Sequence, residues 1–290
     1  MKNVATLYEE YCNKKGVKFQ LDDKVNPYDD TTLFCPAGMQ QFKPKFKNPD
    51  NTTIANIQSC IRLNDLDEIG DGTHLLYFNM LGLFSFGELT INDAIKFWMD
   101  FVNGVLGIKV DKVTIHSDRF DTWKWLYEHY DIPVILDDEC VWSDGEMGGY
   151  CTEFYHNGLE IGNIVNTMDK FIDVGFGMER LQAILDGDVV HSATETLQET
   201  IEKIIYSGYK PGPQKQGYVL RKLLRELYIR GGHLDHPFFE KEVERQEKAR
   251  VRYLKLSEKP SNRTKPKEWW FDTHGIDLDE MKRLNQNKDK

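Results

Sequence analysis

The sequence predicts an α+β fold in which a mainly antiparallel sheet, flanked by helices, is followed by a small helical domain. In the first half, extended segments are not separated by the regular crossover helices that a parallel sheet requires. After Gly187 the apolar pattern becomes almost wholly helical. The chain also lacks the GxxxxGK(S/T) sequence of a P-loop. These observations place a boundary near residues 186–192, with domains at 1–188 and 189–290.

Apolar periodicity and turn residues locate the individual elements. Helices are predicted at residues 4–15, 93–106, 122–130, 194–206, 217–230 and 237–258. Extended segments are predicted at residues 32–34, 59–62, 74–80, 113–116 and 132–136. Residues 259–267, which contain two prolines, are predicted to form a loop.

Composition is typical of a globular protein that stays inside the cell. The chain has 290 residues, of which 40% are hydrophobic, and this is enough for one large and one smaller core. No apolar run approaches the roughly 20 residues that a membrane span needs, and the N-terminus lacks the apolar core of a secretory signal. We therefore expect a cytoplasmic protein without a membrane partner.

Charge is unevenly distributed along the chain. The net charge is −10, yet residues 241–290 carry 14 lysines and arginines against 10 acidic residues. Residues 210–230 are also basic, with Glu226 as their single acidic residue. This placement is compatible with phosphate contacts near the C-terminus, although a charged run is more often a solvated helix face.

The five cysteines show no pattern of a disulfide framework or a metal site. Their spacing contains no Cys-x-x-Cys pair, and no histidines stand at ligand spacing. We expect neither disulfides nor a structural zinc, and we interpret the cysteines as small buried apolar residues. They are Cys12, Cys35, Cys60, Cys140 and Cys151.

The most informative local pattern is DVGFGMER at residues 173–180, which predicts a strand that enters a helix. Gly175 and Gly177 let a ligand approach the backbone where a Cβ would clash. Arg180, fixed by the following helix, can face a phosphate or stack on a base. The pattern points to a nucleotide, but taken alone it is equally typical of a tight turn.

Four further blocks make the chain resemble the alanyl-tRNA synthetases. They are AGMQQFK at 37–43, SCIRLNDLDEIG at 59–70, THLLYFNMLGLFSFG at 73–87 and GYVLRK at 217–222. Their order is the family's order, and the resemblance runs from about residue 5 to about residue 285. It implies a class II synthetase catalytic domain at 1–188 and a shortened helical domain at 189–290 that binds the tRNA acceptor stem.

The resemblance implies ATP-dependent activation of alanine to alanyl-adenylate, followed by transfer to the 3′ end of alanine tRNA. ATP and Mg²⁺ are the expected cofactors, with no protein ligand to the metal assigned. Arg62 is expected at the α-phosphate, while Phe78 and Arg180 cover the two faces of adenine. Gly177 leaves room for the nucleotide, and His74 belongs to the same ATP site. Arg62 and Arg180 are the implied catalytic residues, because a fixed guanidinium stabilises charge on phosphoryl oxygens.

The alanine site implied by the resemblance needs an anion and a small pocket. Asp173 fits the α-ammonium group as its counter-ion. Trp142, Asn163, Val165 and Gly175 line the remainder of the site. Each also has a plain structural interpretation, with Trp142 and Val165 as packing residues and Asn163 as a turn residue.

For tRNA, the resemblance implies contacts from Arg221, Lys222 and Arg225, and a contact from Asp272 to the acceptor-stem G·U pair. An aspartate can accept a hydrogen bond from a base amino group in the shallow RNA minor groove. The family's asparagine partner is replaced here by Pro213, which cannot make that bond. The chain ends before the family's editing domain, so we expect no proofreading in cis and consider a separate editing protein as a partner.

Other departures fall in the catalytic half. Asn79 stands where the family has glutamate, Leu75 replaces a second histidine, and residues 145–151 replace a Gly-Pro-Cys-Gly-Pro-Cys run. Two alternatives therefore stay open. One is an aminoacyl ligase that transfers alanine or another small amino acid to an acceptor other than tRNA, and the other is a non-catalytic RNA-binding paralogue.

Overall fold

The computed structural model describes residues 3–72, 74–187 and 191–288 and divides into two compact units. The first unit contains Met1–Asn64 and Tyr77–Val190, and the second contains Asp65–Leu76 and His191–Lys290. The segment Asp65–Leu76 thus belongs to the second unit. The predicted domain boundary at residue 188 did not include this excursion of the chain. Part of the predicted boundary region, residues 188–190, lies outside the described residues.

The first unit is built on a sheet of nine strands within the described residues. They are β1 (Lys18–Asp22), β2 (Thr53–Ile61), β3 (Tyr77–Ser85), β4 (Lys112–Ile115), β5 (Val134–Leu136), β6 (Val141–Ser143), β7 (Gly148–His156), β8 (Leu159–Thr167) and β9 (Phe171–Gly177). The strand order is β1-β2-β3-β9-β8-β7-β4-β5, with β6 paired to β7. The β1/β2 and β4/β5 pairs are parallel and the others antiparallel, which confirms the predicted mainly antiparallel sheet.

The helices of the first unit overlap predicted segments except for one at Lys43–Lys47, which was not predicted, and the helix predicted at 122–130 begins earlier, at Ser117. They are α1 (Val4–Lys15), α2 (Lys43–Lys47), α3 (Ile91–Met99), α4 (Ser117–Trp123) and α5 (Met178–Asp186). A reciprocal capping box between Thr90 and Asp93 satisfies free backbone N–H groups where α3 begins. The predicted helix at 93–106 continues from α3 as a π-helix, Asp100–Leu106, and the one at 122–130 ends as a 3₁₀ helix, Lys124–Tyr130.

The extended segment predicted at residues 32–34 is not a strand. Phe34 and Cys35 are buried, and the Cys35 N–H donates to the Val25 carbonyl at 3.0 Å, so this segment packs as a loop. Its apolar residues produced the strand prediction, but burial explains them without sheet pairing.

One face of the sheet forms the main hydrophobic core with α1 and α3. Phe176 stacks on Trp98 with ring centroids 4.1 Å apart and an interplanar angle of 3°. A Cβ on Gly162 would lie 2.3 Å from the Phe176 ring, so only glycine fits opposite it. Because side chains alternate along a strand, Val174 and Phe176 enter the core. Asp173 and the residues two and four positions after it therefore lie on the opposite face.

The second unit is helical in its described residues beyond 191. Its helices are α6 (Ala193–Tyr206), α7 (Lys215–Ile229), α8 (Pro237–Ser257), α9 (Lys267–His274) and α10 (Leu278–Lys288). The helices predicted at 194–206, 217–230 and 237–258 are confirmed, and the predicted loop contains one 3₁₀ turn, Pro260–Asn262. Trp270, Ile276 and Met281 belong to a separate core. Within the described ranges, no helix combines the length and the apolar character that crossing a bilayer requires.

Replacing Phe176 by alanine should lower the free energy of unfolding by about 3–5 kcal/mol, because the change removes a fully buried ring and leaves a cavity against Trp98. Urea denaturation followed by circular dichroism measures this loss. Leu21→Ala is the control, since Leu21 is 65% exposed and its truncation should change stability by no more than about 0.5 kcal/mol. Equal stabilities for the two variants would contradict the assigned core.

Candidate active site

The sheet register brings the predicted amino-acid site together on the face opposite the main core. Val165 on β8 lies opposite Asp173 on β9, and Asn163 lies opposite Gly175. The four residues therefore form a compact block on two adjacent strands. Gly177 follows on the same face of β9 and lies opposite Met80 on β3.

Asp173 is a buried acid within this block. It is 8% exposed, and burial together with the nearby Asp144 carboxylate raises the pKa of Asp173 to about 7. The Asp173 carboxylate makes no hydrogen bond or salt bridge to any residue that the structure describes. Because a buried charge needs a compensating partner, such a carboxylate is well suited to bind a cationic group.

Trp142 and Val165 pack around the same small cluster. Trp142, on β6, is half-buried and contacts an apolar cluster formed by Cys140, Cys151 and Val165. Val165 pairs directly with Cys151 across β7 and β8. Both residues therefore have a packing role, and Val165 also lies opposite Asp173.

Arg62 follows β2, and its guanidinium carbon lies 5.1 Å from the centroid of the Phe78 ring. The Arg62 Nε atom donates a hydrogen bond to the Pro36 carbonyl at 3.1 Å. The side chain is exposed, and Arg62 forms no salt bridge with a described carboxylate. The guanidinium is thus held at its Nε atom and carries a positive charge that pairs directly with none of the described acidic side chains.

Arg180 lies in the first turn of α5, where its Nη1 donates to the Glu160 carbonyl at 3.0 Å. A Cβ on Gly177 would lie 3.4 Å from the Arg180 side chain, which is an ordinary contact. Packing alone therefore does not demand glycine at 177, and its small size leaves free space beside Arg180. Burial and the Glu153 charge raise the pKa of Glu160, while Arg180 opposes that rise.

Sequence reasoning missed the network that anchors α5 to the sheet. The Glu179 carboxylate accepts from the Asn79 backbone N–H at 2.9 Å and from its side-chain amide at 2.8 Å. The Ser59 hydroxyl donates a hydrogen bond to the Asn79 side-chain oxygen, Oδ1, at 3.0 Å. Asn79 appeared in the sequence only as a departure from the family's glutamate. An amide supplies the donor that Glu179 needs, whereas a second carboxylate would repel it.

His74 lies in the second unit, whereas Arg62, Phe78, Gly177 and Arg180 lie in the first. Its Nδ1 atom is 2.5 Å from an Asp71 carboxylate oxygen, and its Nε2 atom is 3.2 Å from Glu68. Both ring nitrogens therefore face acidic groups of the second unit. The structure does not group His74 with the other predicted ATP residues inside one unit.

Two cysteines lie close together in a way that chain spacing did not reveal. The ligand atoms of Cys140, Cys151 and Glu153 all lie within 4.8 Å of one another, a donor set that suits a soft or borderline metal ion. Thr114 Oγ1 lies 3.0 Å from Cys140 Sγ and 3.1 Å from Glu153. The hydrogen bond with Cys140, followed by burial, raises the pKa of the Cys151 thiol, which favours the protonated packing form. All five cysteines are buried and free.

The residues predicted to contact tRNA lie in the second unit and differ in their ion pairing and exposure. Arg221 and Arg225, on α7, form ion pairs of 3.5 Å with Glu242 and Glu280 respectively. Lys222 on α7 and Asp272 on α9 are exposed. Arg225 is therefore partly committed to holding α7 against α10, while Lys222 and Asp272 are accessible.

The chain resembles solved structures of aminoacyl-tRNA synthetases. Among solved structures, apo histidyl-tRNA synthetase from S. aureus is similar with a TM-score of 0.44 and 10% identity, over 75% of this chain and 84% of that chain. A pyrrolysyl-tRNA synthetase, PylSc of Desulfitobacterium hafniense, is similar with a TM-score of 0.40 and 15% identity, over 64% and 68% of the two chains.

Curated relatives include two proteins named alanine–tRNA ligase. The one from Francisella philomiragia subsp. philomiragia is 28% identical over 313 residues, covering 80% of this chain and 36% of the relative. The one from Francisella tularensis subsp. novicida is 29% identical over 312 residues, covering 79% and 36%. The chain thus spans little more than a third of the length of these relatives.

Residues 4–173 match the family described as tRNA synthetases class II (A). This match includes β2, β3 and β8, which carry or border Arg62, Phe78, Asn163 and Val165, and it ends at Asp173. Because the match covers more than half of the chain, the protein belongs to the class II aminoacyl-tRNA synthetases.

Proposed function

We propose that the protein activates alanine with ATP and transfers the alanyl group to the 3′ end of tRNA. In the first step, an alanine carboxylate oxygen attacks the α-phosphorus, the bond to the bridging oxygen breaks, and pyrophosphate leaves. Family membership supports the class of reaction, and the names of the curated relatives support alanine. The observation that carries the proposal is the unpartnered Asp173 carboxylate, buried in the block with Asn163, Val165 and Gly175.

Asp173 binds the α-ammonium group of alanine in this proposal. A buried carboxylate without a protein partner gains most from a cation, since pairing replaces the water that it lost on burial. Val165 and Trp142 limit the space beside it to a small side chain. Gly175 adds no side chain of its own, and a Cβ there would lie 2.9 Å from Met80 Sδ, so a larger residue would displace the Met80 side chain.

Arg62 and Phe78 exchange partners when ATP binds. The Arg62 guanidinium lies over a face of the Phe78 ring, with which adenine is proposed to stack. Adenine therefore displaces the guanidinium, which becomes available to the α-phosphate without first breaking a salt bridge. Arg180 covers the other face of adenine, next to the space that Gly177 leaves. Positioned guanidinium charge at the phosphoryl oxygens then lowers the barrier.

When bound with ATP, Mg²⁺ would neutralise charge on the phosphate oxygens. The described residues offer oxygen ligands of the type that it prefers. Glu160 would be a candidate ligand, because the charges of Arg180 and Arg62 act on its carboxyl group and place it near the proposed ATP residues. Glu179 is already occupied by the Asn79 amide and backbone.

The second unit is proposed to bind the tRNA acceptor stem. The basic residues of α7 and the exposed Asp272 support this assignment. The predicted domains at 1–188 and 189–290 are retained as the proposed catalytic and tRNA-binding regions. His74 joins the second region through the Asp65–Leu76 excursion.

Arg62→Ala should reduce alanine-dependent exchange of pyrophosphate into ATP by about 100- to 1,000-fold, because a positioned donor to the reacting phosphate is lost. Arg119 provides a matched control, since its guanidinium carbon also lies over an aromatic ring, 4.6 Å from the centroid of Tyr150. Arg119→Ala should retain exchange within about twofold. Comparable losses in both variants would contradict the assigned role of Arg62.

The KM for alanine in pyrophosphate exchange should fall as the pH rises from 6 to 8. Asp173, whose pKa is about 7, is neutral below that pH and must lose its proton before it can pair with the ammonium group. Asp173→Asn should raise this KM about thirtyfold or more, equivalent to about 2 kcal/mol, and remove its pH dependence. The KM for ATP over the same pH range is the internal control. A pH-independent KM for alanine in the unmodified protein would refute the assignment.

Serine and glycine should also drive measurable exchange. A small apolar pocket discriminates by about 1–3 kcal/mol per methylene, so kcat/KM should lie about 10- to 200-fold below the alanine value. Such misactivation would give a separate editing protein a substrate. Exchange at background level for both amino acids would show that the site excludes them by another means.

A further inference from the structure

The second unit contains a cavity of about 350 Å³ between the loop that precedes α7 and the helix α8. Four cationic residues line it against a single carboxylate. They are Lys210, Arg221, Lys241 and Arg245, with Glu242 as the acid. The cavity is therefore strongly electropositive, in a chain whose overall charge is −10.

Glu242 fixes two of these cations in position. It is only 3% exposed, and its carboxylate accepts a hydrogen bond from Arg245 Nη1 at 2.7 Å. The Arg221 Nε atom lies 3.5 Å from the same carboxylate, and Gln246 donates to its other oxygen at 3.1 Å. A single buried carboxylate thus orients two guanidinium groups without neutralising both. Arg221 Nε is also a buried donor that finds no hydrogen-bond acceptor among the described residues.

Lys210 and Lys241 supply further positive charge. Both are exposed, and neither forms a salt bridge with any described acidic residue. Exposed cations that form no close ion pair at the rim of a cavity attract an anion at low desolvation cost. Lys215 and Lys222, which are exposed on α7, extend the positive surface beyond the cavity.

The loop side of the cavity offers few hydrogen-bond donors. Pro211 and Pro213 have no backbone N–H, so they cannot donate to a ligand. A Cβ on Gly217 would lie 2.8 Å from both the Gly212 nitrogen and the Lys210 carbonyl, so glycine lets this loop close on α7. Recognition here depends on charge, because the hydrogen-bond donors that face the cavity belong to the cationic side chains.

We propose that this cavity binds a backbone phosphate of RNA through Lys210, Arg221, Lys241 and Arg245. The contact rests on the proposed function, since it assigns a specific role to the second unit in tRNA binding. Such a contact positions an RNA helix without reading its sequence. An RNA strand is favoured over a free phosphate because the positive surface continues from the cavity along α7, where neighbouring phosphates of one strand would lie.

The test compares two double variants of the full chain in binding to a fluorescently labelled acceptor-stem RNA hairpin. Lys210→Gln with Lys241→Gln should weaken binding about tenfold and reduce the slope of log K against log salt by about two. Lys248→Gln with Lys255→Gln, on exposed positions of α8 outside the cavity, removes the same charge and should change affinity by less than about twofold. The loss from the cavity variant should be equal for two hairpins of different sequence.

Equal losses in the two double variants would overturn the proposal, because charge in general would then explain binding. A loss confined to one hairpin sequence would also overturn it by showing base recognition. Inorganic phosphate that displaces the hairpin from the unmodified protein, at constant ionic strength, would identify a small-anion site instead. The titrations contain neither ATP nor alanine, so pyrophosphate exchange by the unmodified protein tests the proposed activation separately.

Discussion

The two-residue alternation of strands β8 and β9 is the constraint on which the first unit depends. Phe176 is held against Trp98 on one face, and this contact fixes the register that turns Asp173, Gly175 and Gly177 to the other face. A shift by one residue would bury glycines in the core and expose phenylalanine in the site. Core packing and site geometry are therefore set by the same residues.

The two charged groups of the proposed activation site lie in opposite environments. Asp173 is buried, and its raised pKa reflects the cost of holding an unpaired charge there. Arg62 is exposed and rests on Phe78, so its charge is hydrated until a ligand arrives. In the proposed function, the buried acid would select a cation, whereas the exposed arginine would move at little cost. This division suits a reaction that binds an amino acid and then neutralises a phosphate.

Sequence patterns predicted the antiparallel sheet, the strand-to-helix corner at 173–180 and most helices, because these depend on local periodicity and glycine placement. They failed at residues 32–34, where apolar side chains pack from a loop. The Asn79–Glu179 network and the proximity of Cys140 to Cys151 could not be predicted, since both join segments through sheet register rather than chain spacing. The Asp65–Leu76 excursion into the second unit is a tertiary feature of the same kind.

The most direct test of the central claim is charging of total tRNA with labelled alanine and ATP by the purified protein, with Arg62→Ala as the blank. The account predicts alanyl-tRNA that depends on Arg62, formed although Pro213 replaces the family's asparagine. A folded protein that makes alanyl-adenylate yet charges no tRNA would contradict the account and identify a different acceptor.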